Sequence, residues 1–240
     1  PTERAPNVIA LLLASGVALA ASLAGPRFLI SFLHARGRSQ PILQKNDANV
    51  HVPEHQHKAG TPTMGGIAIV GAAGAGYLVS HIRRGVVFSD QTLIVFAGVL
   101  TMAGLGFVDD YIKVRVRQNR GVYWKHKGYV TLVLSFAIAA VLVAATDIDT
   151  RLSLTRGDLP GWQLGTVGWV IWAGLIIFAT TNAVNVTDGL DGLAAGSALF
   201  GFFAFAAIAF WGFRNPEIYC SLVNPYDLAV FAAAFAGACA

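Results

Sequence analysis

Apolar residues along this chain gather in long continuous runs separated by short polar connections. The runs lie near Val8 to Gly25, Met64 to Ser80, Gln91 to Val108, Tyr129 to Thr146, Thr166 to Thr181 and Leu193 to Phe213. Crossing the hydrocarbon of a bilayer takes roughly 20 apolar residues, with about 17 to 25 tolerated, so each run predicts a transmembrane helix. A seventh run starts near Leu228 and reaches Ala240. At about thirteen residues it is too short to cross. The pattern predicts an all-α, polytopic integral membrane bundle with six full spans and part of a seventh. Residues 1–240 read as a single transmembrane domain cut inside a helix. The chain opens on Pro1 without a basic leader and small-residue cleavage site, so its start reads as incomplete or processed.

Composition sharpens this picture. Of 240 residues, 55% are hydrophobic and 12% charged, with mean hydropathy +0.59, which excludes an ordinary soluble domain. Gly71, Gly74 and Gly76 lie inside a span and read as close helix packing. Two cysteines, Cys220 and Cys239, make no disulfide framework and read as small structural hydrophobes.

The basic residues set an orientation. The first connection, residues 32 to 61, carries Arg36, Arg38, Lys45 and Lys58. The third, residues 109 to 128, carries Lys113, Arg115, Arg117, Arg120, Lys125 and Lys127. The alternate connections hold Arg83 and Arg84, Arg151 and Arg156, and Arg214. Ten cations against five place the odd connections in the cytoplasm and the N-terminus outside. The outer connection from Asp147 to Gly165 then reads as an interfacial loop, with Trp162 and Trp169 as headgroup-level anchors. The net charge of +4 belongs to this topology signal, and no nucleic-acid partner is expected.

Polar motifs collect on the predicted inner face. Lys58-Ala59-Gly60-Thr61-Pro62-Thr63-Met64-Gly65-Gly66 leads into the second span, and its hydroxyls and glycines fit either a capped, closely packed helix start or a ligand-facing loop. His51, His55 and His57 lie upstream in a polar loop better read as solvated than as a metal site. If the third span continues through Asp109 and Asp110, Asp109 and Lys113 share a helix face. This is an interfacial ion pair at least. Neighbouring carboxylates cannot both ionise cheaply without a cation close by, and magnesium meets that need while bridging carboxylates to phosphates. The basic stretch from Lys113 to Lys127 serves topology or anionic headgroups, or holds a phosphate-bearing substrate. Between the fifth and sixth spans, Asn182, Asn185, Asp188 and Asp191 exceed what a turn requires. Gly189 and Gly192 favour a bent inner loop there, with exposed carboxylates. Ionisable groups at the mouths of spans are costly and usually functional.

In order, KAGTPTMGG, GFVDDYIKV and NAVNVTDGLDGLAAG resemble the phospho-N-acetylmuramoyl-pentapeptide transferase family, within the polyprenyl-phosphate N-acetylhexosamine-1-phosphate transferases. The resemblance covers nearly the whole chain in topology and three motifs in detail. It implies a magnesium-dependent enzyme of the bacterial inner membrane with its site on the cytoplasmic face. That enzyme moves phospho-MurNAc-pentapeptide from its UDP carrier to undecaprenyl phosphate, giving lipid I and UMP for peptidoglycan. About ten spans and a homodimer are implied for the complete protein. Carried over by motif, Asp109 deprotonates the lipid phosphate, or in an older proposal attacks as a nucleophile. Asp110 helps organise the metal and phosphates beside Asp109, Lys113 neutralises charge and Lys125 adds a phosphate contact. Lys58, Thr63, Asn185, Asp188 and Asp191 line the nucleotide-sugar pocket, with Asp191 nearest the uracil. The family carries further inner-face motifs after this point, including its principal metal-binding aspartate and a histidine-rich loop, so the chain as given is expected to be inactive.

Two other readings compete. A sister transferase using UDP-GlcNAc shares the aspartate motifs. An ion-coupled transporter also needs intramembrane carboxylates, but here they crowd one face rather than the midplane, and no inverted repeat is evident.

Overall fold

The computed structural model describes residues 8–35, 65–82, 85–116, 123–152, 161–188, 192–216 and 224–240. Seven helices are present among them: α1 (Val8–Ala35), α2 (Gly66–His81), α3 (Asp90–Val116), α4 (Trp124–Ala145), α5 (Gly165–Thr187), α6 (Leu193–Arg214) and α7 (Pro225–Cys239). Each predicted apolar run is thus a helix. Five of them, α1 and α3 to α6, are long and apolar enough to cross a membrane. The 16 residues of α2 rise only about 24 Å, short of a hydrocarbon core of roughly 30 Å.

The helices overrun the apolar runs at one end. α3 continues through Asp109 and Asp110 to Val116, α4 starts at Trp124 rather than near Tyr129, and α5 runs on to Thr187. Continuation costs little because the added residues find partners for their charges and amides: Lys127 reaches Asp109 and Asn185, and Asn182 and Thr187 each donate to the carbonyl four residues back. Inside the runs Thr131, Ser135 and Thr181 make the same bond, so their polar groups stay within their own helices.

Packing is by small residues, as expected where lipid supplies no hydrophobic drive between helices. Ala10, Ala14 and Ala18 form a buried stripe on α1, against Ala72, Ala73 and Tyr77 of α2 and Val230, Ala234 and Ala238 of α7. At Gly76 a methyl group would fall on the Ala14 carbonyl, and at Gly237 on the Ser15 carbonyl. Backbones therefore meet where side chains are missing. Ser22 of α1 also donates to the Ala238 carbonyl at 2.8 Å. α7 is thereby packed against α1, α2 and α6, while α4 packs on α5.

α3 joins these two groups. Phe96 meets Tyr77 and Phe231 with ring centroids 5.8 and 5.7 Å apart, and Gly98 lets Ile138 of α4 approach. The outward faces are apolar, with Phe200, Phe203, Phe205 and Trp211 exposed along α6, as a lipid-facing surface requires. Between α4 and α5, β1 (Arg151–Leu152) pairs antiparallel with β2 (Trp162–Gln163), so the loop expected there carries a short hairpin. Trp162 is exposed, as an interfacial anchor should be. Cys239 is half-buried with a free thiol, and Cys220 lies outside the described residues.

Candidate active site

Three helix ends meet on the face opposite the hairpin. The C-terminal part of α3 brings Asp109, Asp110 and Lys113, the first turn of α4 brings Lys127, and the end of α5 brings Asn185. The Lys113 ammonium lies 2.8 Å from Asp109 Oδ2 and 3.1 Å from Asp110 Oδ1. That of Lys127 lies 3.0 Å from the same Asp109 Oδ2 and donates to Asn185 Oδ1 at 3.3 Å. Asp109 is buried, only 4% exposed, whereas the Asp110 side chain is one-third exposed.

Helical spacing explains part of this. Asp109 and Lys113 are four apart and Asp110 and Lys113 three apart, so one ammonium reaches both carboxylates from one helix. Lys127 arrives from another helix, which no local spacing encodes. A buried carboxylate is tolerated when it is paired and hydrogen-bonded, and Asp109 receives two cations. Two aspartates and two lysines leave the cluster neutral in formal charge. Arg115, one helical turn beyond Tyr111, donates to the Tyr111 hydroxyl at 3.2 Å and adds positive charge at the rim.

Of the other predicted residues, Lys125 is exposed in the first turn of α4, two positions before Lys127, whose ammonium lies 3.0 Å from Asp109 Oδ2. Asp188 caps the end of α5 and is exposed. Asn182 and Asn185 belong to the helix itself, which runs to Thr187, and positions 189–191, where a bent loop is expected, lie outside the described residues. Gly192 then begins α6 with a positive φ of 78°. Lys58, Thr61, Thr63, Asp191 and the histidines at 51, 55 and 57 lie outside the described residues.

Sequence reading missed Lys127, because the basic stretch was already explained by topology. The helix start at Trp124 would have placed it one turn in. It also passed over Asp227, wholly buried at the opposite face. Pro225 just inside the start of α7 was the available signal that the helix opens before Leu228.

The donor set suits magnesium. The ion keeps several waters and is held by one or two carboxylates together with substrate phosphates. Asp110 is the better placed of the two, being partly exposed and engaged through Oδ1 by a single ammonium.

Comparison with known proteins accords with this geometry. The glycosyl transferase family 4 profile matches residues 92–240, and a phospho-N-acetylmuramoyl-pentapeptide-transferase signature matches residues 58–70. Proteins named phospho-N-acetylmuramoyl-pentapeptide-transferase are similar over 95% of this chain. That of Frankia alni is 36% identical with 66% of its own length covered, and that of Streptomyces avermitilis is 37% identical with 67% covered. The Rhodococcus opacus protein is 38% identical with 67% covered. The chain thus spans about two thirds of the length of these curated relatives. With a profile over most of the chain, a second motif upstream of it and relatives that match over 95% of this chain, this multi-pass membrane chain belongs to glycosyl transferase family 4, among the phospho-N-acetylmuramoyl-pentapeptide-transferases.

Proposed function

We propose that the protein containing this chain transfers phospho-MurNAc-pentapeptide from UDP to undecaprenyl phosphate, yielding lipid I and UMP on the cytoplasmic face of the bacterial inner membrane. The observation that carries this reading is the paired-carboxylate, paired-lysine cluster where α3, α4 and α5 end together. A lipid phosphate held at the membrane surface and a soluble nucleotide sugar can both reach such a place.

In this reaction a lipid phosphate oxygen bonds to the sugar-bearing phosphorus of the diphosphate. The bond from that phosphorus to the bridging oxygen breaks, and UMP leaves with the electron pair. Such transfers need mainly positioning and charge stabilisation. Lys113 and Lys127 supply that charge. In the free site both sit on Asp109, and an incoming phosphate competes for the same ammonium groups. As they turn towards it, the Asp109 carboxylate is freed to take a proton from the lipid phosphate. Asn185 keeps Lys127 aimed between α3 and α5. Asp109 and Asp110 would hold the magnesium, with Asp110 the principal ligand of the two. When bound, the ion would screen the diphosphate charge and favour UMP as a leaving group. Lys125 adds a phosphate contact, Lys58, Thr63, Asn185, Asp188 and Asp191 line the nucleotide-sugar pocket, and the complete protein works as a homodimer.

The test is lipid I formation by the purified full-length protein, given magnesium and undecaprenyl phosphate with either UDP-MurNAc-pentapeptide or UDP-GlcNAc. Product from the first donor, lost in Asp109→Asn, is expected. Product from the second alone would reassign the protein to the sister transferases.

A further inference from the structure

At the hairpin face a second charged cluster is buried, and the proposed reaction makes no use of it. Asp227, in the first turn of α7, is 0% exposed and takes part in four hydrogen bonds. Oδ2 accepts from the Tyr77 hydroxyl at 3.1 Å, from the Ser89 backbone N–H at 2.7 Å and from the Ser89 hydroxyl at 2.9 Å. Oδ1 faces His81 Nε2 at 3.0 Å. Ser89 is joined in turn to Thr92 in the first turn of α3, with the two hydroxyl oxygens 2.8 Å apart. Three elements are thus fastened at one carboxylate: the end of α2, the start of α3 and the start of α7.

The hydrogen count follows from the acceptors. His81 Nδ1 lies 2.8 Å from the Tyr77 carbonyl oxygen, which only accepts, so Nδ1 carries a hydrogen. Nε2 faces a carboxylate oxygen, so one further proton lies between Nε2 and Oδ1. Whichever atom holds it, the couple is neutral overall. Neutrality is what allows a wholly buried aspartate here, since a lone carboxylate in such a place is very costly. The His81 ring is also stacked on Phe88, with centroids 3.8 Å apart and planes 7° from parallel.

We infer that Asp227 is a positioning residue for the catalytic cluster. This inference rests on the transferase reading above. α3 starts at this clasp and ends in Asp109, Asp110 and Lys113, about 29 Å away at 1.5 Å per residue. A helix is stiff along its axis, so holding its first turn sets the depth and rotation of its last. The clasp at one membrane face thereby fixes where the carboxylates stand at the other, and small misplacements of reacting groups cost rate steeply.

The experiment compares His81→Ala, Asp227→Asn and the double variant in the full-length protein. It reads the thermal midpoint, kcat and KM per folded molecule, and the distance between spin labels on the exposed residues Phe107 of α3 and Val130 of α4. His81→Ala leaves a buried carboxylate without its partner. Its midpoint is expected to fall by roughly 10 °C. Its kcat is expected to drop about tenfold or more with KM nearly unchanged, as the label distance shifts. Asn at 227 carries no charge, so the double variant should regain at least half of the lost midpoint. If His81→Ala does not fold, Tyr77→Phe removes one of the four hydrogen bonds and reads the same quantities. A double variant no more stable than His81→Ala would overturn the shared-proton couple. An unchanged label distance with unchanged kcat would overturn the positioning role. An inactive wild type would instead sink the transferase reading, leaving midpoint and label distance to judge the clasp.

Discussion

Lys127→Met isolates the contribution that only the tertiary structure reveals. Methionine keeps the apolar stem and deletes the ammonium that stands 3.0 Å from Asp109 Oδ2 and 3.3 Å from Asn185 Oδ1. At that separation a pair of unit charges in an effective dielectric of about 20 attracts by about 5 kcal/mol before desolvation is subtracted. Desolvation offsets most of it, and Lys113 still covers Asp109 at 2.8 Å, so the carboxylate is not orphaned. The net loss of stability is then about 1–2 kcal/mol, or roughly 2–8 °C in thermal midpoint. Turnover is more sensitive, because removing a preorganised donor from developing charge costs about a hundredfold to a thousandfold. The assay is lipid I formation by full-length protein, with the fraction folded measured alongside. Lys127→Arg keeps the charge in a different shape and should fall between wild type and Lys127→Met. If Lys127→Met keeps turnover within twofold of wild type, the assignment of Lys127 to the site is wrong.

Two further outcomes follow from the packing and the donor set. Gly237→Ala puts a methyl group on the Ser15 carbonyl, so α1 and α7 must separate, with a loss of about 2 kcal/mol read as a lower thermal midpoint. Gly196→Ala, a helical position with nothing within 4 Å, is the control and should be neutral or slightly stabilising. Asp110→Asn removes the charge of the better-exposed carboxylate proposed to hold magnesium, and the magnesium needed for half-maximal turnover should rise about tenfold or more in a titration of activity.

The site was legible only in part. Asp109, Asp110 and Lys113 lie within four positions on one helix, so their meeting is a local property that spacing alone predicts. Asn185 was marked by its polar setting at the end of a span, but its partner was not, since Lys127 is 58 positions away in sequence and sits on another helix. The clasp was harder still. His81 and Asp227 are separated by 146 positions, and each closes or opens an apolar run where a single polar residue draws no notice.

What the sequence by itself determined is the all-helical membrane class and the place of each helix among the described residues, because the thickness of hydrocarbon converts into runs of apolar residues, although α2 proved shorter than the full span expected of its run. It also determined the face on which the acidic and basic motifs gather, through their place between runs. Tertiary structure decided where the helices end. Hydropathy falls as soon as charges begin, yet a helix continues wherever those charges find partners, as α3, α4 and α5 do at Asp109, Lys127 and Asn185. It also decided which small residues bring backbones together and which buried carboxylate is neutralised by which base. Those pairings depend on helix contacts between distant segments, and hydropathy along one strand of chain holds no record of them.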